Sequence, residues 1–280
     1  MKLATQPMPV RPWPVVRGPW SRGAMVSPTS AFTLVEIAIS LAIIGFALVA
    51  IIGVLPIGLN VQRENREQTI INQDASVFMN AIRSGARGLD HLTNAVQGIT
   101  VYRAQYDANT NMLAFYVRYY IPTDSLPAPP NFPLNDGFTI IGLLSMPKYV
   151  PLARGEFFSN HVVASVRAIS GLATEKFPQD NPDVRQDAFS YRLITENVEL
   201  PVPPAGPPQN TNSLNTTSRQ LTHNLHELRL LFRWPLLASG RTGNGRQTFR
   251  TLVSGTLTND PQGQLYTWFF QSQTFVKAAP

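Results

Sequence analysis

The chain has 280 residues, no cysteine, 24 prolines and only 14% charged residues, with a formal net charge of +6. Lack of cysteine excludes disulfides, thiolate nucleophiles, iron–sulfur clusters and cysteine-ligated zinc. Four cations, Lys2, Arg11, Arg17 and Arg22, precede residue 32 with no acidic residue among them, so the rest of the chain carries +2. No Lys/Arg cluster elsewhere in the sequence would follow a phosphate backbone, and no nucleic-acid partner is expected.

Residues 1–31 read as a basic leader in which Pro7, Pro9, Pro12, Pro14, Pro19 and Pro28 prevent regular structure. Met8 and Met25 are alternative starts to Met1. From Phe32 to Leu59 the only strongly polar side chains are Thr33, Glu36 and Ser40. About 20 such residues cross a hydrocarbon layer of roughly 30 Å, so residues 32–59 predict a membrane-spanning helix, with Pro56 expected to kink or loosen it. Residues 60–88 predict an amphipathic continuation of that helix. Ile71, Ala75, Phe78 and Ile82 fall at helical spacing, with Arg63, Glu64, Arg66, Glu67, Gln73 and Asp74 assigned mostly to other faces. Glycines at Ser84–Gly85 or at Gly88 supply a stop.

Residues 89–280 shift towards period-two patterning and predict a β-rich globular domain. The stretches 99–106 and 112–121, joined by the turn-forming Asp107–Asn111, read as a hairpin. Residues 122–160 read as an irregular loop, 161–169 and 189–200 as strands, and the Pro- and Asn-rich 201–218 as a second loop. Leu228, Leu230, Phe232 and Trp234 alternate with Glu227, Arg229 and Arg233, a half-buried strand closed by Trp234-Pro235. Arg241–Gly245 reads as a turn, 248–257 as the partner strand and 265–276 as an edge strand. The order is α+β: a long N-terminal helix with an apolar first half, packed by its later half on an antiparallel sheet. The pairs Tyr119–Tyr120 and Phe269–Phe270 would put rings on both faces of their strands, as suits a sheet covered by the helix on one side and a neighbour on the other.

Catalytic and metal patterns are weak. His223 and His226 are three apart and precede a strand, where a metal-binding H-E-x-x-H needs a four-residue helical spacing, so a polar surface role is expected. Asp180, Asp183 and Asp187 offer oxygen ligands in a loop, but nothing completes a six-ligand shell, and loop capping is the simpler reading. Gly243-Asn-Gly245 lacks the setting of a dinucleotide site and reads as a turn. No nucleophile–base pair can be assembled. The chain is expected to need no cofactor and not to be an enzyme.

The run Ala31-Phe32-Thr33-Leu34-Val35-Glu36, opening an apolar helix behind a basic leader, resembles the prepilin-type cleavage and methylation motif of type IV pilins and type II secretion pseudopilins. The resemblance implies cleavage between Ala31 and Phe32 by a prepilin peptidase and N-methylation of Phe32. Glu36 would then be the fifth mature residue, the acidic position of the family. It further implies a bacterial inner-membrane precursor with its globular domain on the periplasmic side, later built into a filament or secretion assembly. The partners implied are the peptidase/methylase, other pilin or pseudopilin subunits and an inner-membrane assembly platform. Some pseudopilins also bind calcium in a loop. Ala31 departs from the usual glycine, and the six-proline leader is unusual. The mature chain, 249 residues from Phe32 to Pro280, is large beside a typical major pilin and favours a minor subunit. The stretches LRLLFRWPLL and RQTFRTLVSG also resemble the prepilin-like family called Verru_Chthon cassette protein B.

The residues give the motif its own logic. A carboxylate in hydrocarbon is costly without a partner, and cleavage would create one, a positive amine at Phe32. Staggered neighbouring helices could pair that amine with Glu36 and so penalise wrong registers. A plain anchor leaves Glu36 unexplained, a secretory signal is cut after its apolar region, and a core helix would not follow a basic leader. The rival function is an adhesin or ligand-binding module on a pilin-type anchor, using exposed aromatics and the two loops.

Overall fold

In the computed structural model the described residues are 32–85, 88–122, 131–170, 189–200, 218, 220–260 and 266–275. Helix α1 runs from Leu34 to Ser84 over 51 residues. The strands are β1 (Val96–Tyr106), β2 (Met112–Ile121), β3 (Asn131–Pro133), β4 (Tyr149–Pro151), β5 (Phe157–Arg167), β6 (Ser190–Glu199), β7 (Leu225–Leu236), β8 (Thr242–Ser254), β9 (Thr256–Asp260) and β10 (Thr267–Gln271). A second helix, α2 (Gly137–Leu144), lies between β3 and β4. The chain divides after Gly58 into two units, the second being Leu59–Pro280.

In the first unit every described residue is exposed, and the helix is apolar on all sides. Such a helix has no water-soluble face, and α1 is long and apolar enough to cross a membrane. Pro56 sits inside α1 with helix on both sides of it.

In the second unit the pattern narrows to a stripe. Ile71, Ala75, Phe78 and Ile82, the residues expected from spacing, are all buried, together with Ile70 and Ala81. All of these but Ile70 join one apolar cluster with Val162, Ala164, Leu193, Leu228, Leu230 and Phe232 of the sheet. The sheet has the order β3-β2-β1-β5-β6-β7-β8, with β4 beside β5. All its pairings are antiparallel except β2–β3. Helix α1 stops at Gly85 (φ +58°), and a Cβ there would also lie 2.2 Å from the Phe270 carbonyl oxygen. Only glycine satisfies both the left-handed backbone and that approach.

Four local expectations need correction. First, much of 122–160 is not loop: residues 137–146 form α2 and its exit, and Ile140, Ile141, Leu143, Leu144 and Met146 are core. Helix α2 is buried on nearly all sides, so it lacks an amphipathic period, and its Pro- and Asn-rich flanks masked it. Its start is nevertheless specified, since Asp136 Oδ1 accepts the Thr139 N–H at 2.6 Å and Asp90 Oδ1 accepts the Gly137 N–H at 3.0 Å. Second, Gly243 and Gly245 lie inside β8. The turn is one step earlier, where the Leu237 N–H bonds to the Arg241 carbonyl at 2.9 Å. A Cβ on Gly245 would stand 2.5 Å from the Trp234 ring, so that glycine makes room for an indole and does not mark a bend. Trp234 is buried, as a core cap, but β7 continues past Pro235 to Leu236. Third, residues 267–271 form β10, which pairs with β9 in a separate two-stranded sheet and is no edge of the main one. Fourth, Phe269 and Phe270 are both buried, against Phe138 at 4.1 Å and His226 at 5.3 Å between ring centroids. The Tyr119–Tyr120 pair does divide between faces, Tyr120 being buried and Tyr119 exposed.

Phe78 fills the contact between α1 and the sheet. Phe78→Ala should lower unfolding free energy by about 3–5 kcal/mol, and the exposed Phe115→Ala should change it by only about 0.5 kcal/mol. Urea denaturation of both variants followed by near-UV circular dichroism checks this contrast.

Candidate functional site

The first turn of α1 is closed by its own side chains. The Thr33 N–H and hydroxyl both donate to Glu36 Oε2 at 2.9 Å, while the Glu36 N–H donates to Thr33 Oγ1 at 3.3 Å. The Thr33 carbonyl takes the first helical bond, from the Ile37 N–H at 3.2 Å. This reciprocal pairing is a capping box, and the spacing T-x-x-E in the sequence was its unread signal. Glu36 therefore has a local structural partner before any neighbour is considered. Phe32, immediately ahead of the cap, is 81% exposed, and Ala31 lies outside the described residues.

Further along α1, Arg63 Nε donates to Glu67 Oε1 at 2.9 Å, the expected i,i+4 pair. Asp74 is different from its expected placement. It belongs to the buried stripe, lying three residues from Ile71 and four from Phe78, and is fully buried. Its Oδ2 accepts the Ile169 N–H at 2.9 Å and the Tyr191 hydroxyl at 2.8 Å, and its Oδ1 accepts the Ser170 N–H at 2.8 Å. Burial raises the Asp74 pKa, opposed by these donors, which favour the ionised form. Burial also pushes the Tyr191 hydroxyl well above its ordinary value, so it stays a proton donor to Asp74.

The histidine pair does not form a ligand set. His223 is exposed, 4.0 Å from a Glu199 oxygen. His226 is buried on the inner face of β7, contrary to the surface role expected for it. Its alternation with Leu228, Leu230 and Phe232 carries it inward, and burial lowers its pKa. Among the described residues no group of three or more His, Cys, Asp or Glu side chains could hold a metal. Asp180, Asp183 and Asp187 lie outside the described residues, as do residues 201–217.

Arginines scattered in the sequence converge on the outer face of the sheet. Arg192 of β6 faces Arg233 of β7, which faces Arg246 of β8, and Arg229 faces Arg250. Arg192, Arg229, Arg233 and Arg250 border an open trough of about 880 Å³ that also reaches Tyr102, Phe115, His161, Val163, Ile194 and Leu231, and Arg246 stands next to Arg233 beyond its lining. The spacing Arg229/Arg233 and Arg246/Arg250, four apart within strands, was the sequence signal for a shared face.

No family model, no curated protein and no solved structure matches the chain.

Asp74→Ala would strand two backbone N–H groups and the Ser170 and Tyr191 hydroxyls, and should cost about 3 kcal/mol or more in unfolding free energy. Asp74→Asn keeps an acceptor and should cost less. Because folding raises the Asp74 pKa, the folded state holds the proton more tightly. Any stability that proton contributes is full below the ordinary value of 3.8 and lost as pH rises through the raised folded value. Urea titrations from pH 3.5 upward should show wild type losing stability relative to Asp74→Asn over that window.

Proposed function

We propose that the protein is a prepilin-like structural subunit, made as a membrane precursor, cut between Ala31 and Phe32, and incorporated as a minor pilin or pseudopilin into a type IV pilus or type II secretion-like assembly. The observation that carries this reading is the division of α1: apolar and exposed from Leu34 to Leu59, then packed on a sheet through one stripe. A helix of this kind serves first as a membrane anchor and then, once drawn out, as the shared spine of an assembly. The Thr33–Glu36 cap supports it further, since a helix that begins two residues after the cut needs no leader to hold its first turn. Prepilin peptidase/methylase, other subunits and an inner-membrane platform are the partners this reading requires.

The test is mass spectrometry of the mature N-terminus in cells with and without a prepilin peptidase. An N-methylated Phe32 that depends on the peptidase is expected, and an intact chain retaining Trp20 and Met25 would overturn the reading.

Glu36 carries two roles that one substitution separates. Glu36→Gln retains a capping side chain at the third helical position but removes the charge. Membrane insertion should be unchanged and incorporation into the assembly strongly reduced, as scored by co-purification with partner subunits. Wild-type incorporation of Glu36→Gln would leave the carboxylate with the cap alone.

A ligand-binding module displayed on the same anchor is the second reading, and the open arginine-bordered trough favours it. Residues 137–146 contribute core and not a displayed loop, so deletion there cannot separate the two readings.

A further inference from the structure

The trough on the outer sheet face is built from three successive rungs of directly facing residues. The middle rung is its floor: Thr100, Val163, Ile194, Leu231 and Thr248, read across β1, β5, β6, β7 and β8. One wall is Ser165, Arg192 and Arg233, and the same rung continues beyond the trough to Arg246 of β8. The other holds Tyr102, His161, Glu196, Arg229 and Arg250.

The two walls differ in charge. Arg229 is engaged by Glu227 and, at 4.0 Å, by Glu196, which also accepts from Lys148 at 3.0 Å. That wall has carboxylates beside its cations. Along the first wall and its continuation to Arg246 three guanidinium groups stand in file without a carboxylate among them, and like charges directly opposite are destabilising. Arg192 gives one N–H to the Gly240 carbonyl, while its Nε is buried with no acceptor. Charge on an edge strand guards against stray pairing, which accounts for Arg246 on β8. It does not account for Arg192 and Arg233, which stand on the interior strands β6 and β7.

We infer that this trough binds an acidic amphipathic helix of a partner protein, its apolar stripe on Val163, Ile194 and Leu231 and its carboxylates along Arg192, Arg233 and Arg246. Residues four apart in a strand are separated by roughly 13 Å, so the outer rungs flank a space that suits a helix about 10–12 Å wide. An extended chain is narrower and reaches one wall at a time. Five strands span roughly 19 Å, the length of about 13 helical residues. Arginine forks grip carboxylates in paired hydrogen bonds, and the one-sided wall fixes the orientation of the helix on its floor. The inference concerns the sheet alone and stands whether or not Phe32 becomes the mature N-terminus.

The test uses the full chain in zwitterionic lipid nanodiscs, with empty nanodiscs as the blank. The probe is a labelled helix of about 13 residues, with leucines at spacings of three and four and glutamates along one flank. Fluorescence anisotropy should show saturable binding that weakens at least tenfold when the same residues are shuffled, and at least tenfold in Arg233→Gln/Arg246→Gln. Arg63→Gln, on the helix, should bind as wild type. The charge-reversed Arg233→Glu/Arg246→Glu should prefer a probe with lysine in place of each glutamate, which separates a lost site from a lost fold. Absence of binding, equal binding of the shuffled peptide or of dextran sulfate, or unchanged binding by the glutamine variant would each overturn the inference.

Discussion

A carboxylate withdrawn from water is tolerated only where donors replace the solvent it loses, and Asp74 is supplied with donors from outside its own helix. They are the backbone N–H groups of Ile169 and Ser170 at the exit of β5, the Ser170 side chain and the Tyr191 hydroxyl in β6. The apolar stripe of α1 supplies most of the burial, but apolar contact is non-directional and permits a helix to turn or slide. The hydrogen bonds do not. A one-residue slip would rotate Asp74 by about 100° and take the acceptor away from these donors. Tyr191 extends the constraint into the sheet, its ring 5.2 Å from Phe232 of β7. The position of α1 on the sheet is therefore set by a polar group inside an apolar stripe.

The same helix has two compositions, one on each side of Leu59. Up to Leu59 it is apolar all round, as a helix facing hydrocarbon or other apolar helices must be. From Asn60 onward polar residues return, Arg63 pairs with Glu67, and the apolar positions contract to one side. At 51 residues the helix is far above the globular mean of about 11–12, and it is long enough to hold both an all-apolar stretch and a one-sided packing stripe. Its N-terminus is self-capped and its C-terminus is stopped by a glycine packed under the Phe270 backbone.

What could be read in advance follows from this. Periodic features were legible: the helix and its end near Ser84, the buried set Ile71, Ala75, Phe78 and Ile82, the β1–β2 hairpin and the alternation in β7. Features buried on several sides were not. Helix α2 has apolar residues on all faces and so no period to detect, and His226 and Asp74 are polar groups whose inward placement depends on partners distant in sequence. Gly245 was misread because its cause, the Trp234 ring, becomes visible only when β7 and β8 are paired. The arginine face shows the same limit. Arg192 and Arg233 are separated by 41 positions in the chain and become neighbours only through the register of β6 on β7. Of the residues singled out at the N-terminus, Phe32 and Glu36 are placed at the mouth of α1.

Capping and charge pairing at Glu36 are compatible because a carboxylate has two oxygens. In the cap, Oε2 takes both donors from Thr33. Oε1 receives no bond from the Thr33 cap, so an outside donor can approach it without undoing the cap. The proposed pairing with a neighbour's Phe32 amine needs that free oxygen. A helix N-terminus already favours negative charge, so the cap would hold the carboxylate aimed before the amine arrives. On this argument the local role prepares the assembly role: a side chain that had to order itself on contact would lose part of the gain to entropy. Thr33 then becomes the residue that positions the acid, and its hydroxyl links helix initiation to the proposed contact between subunits.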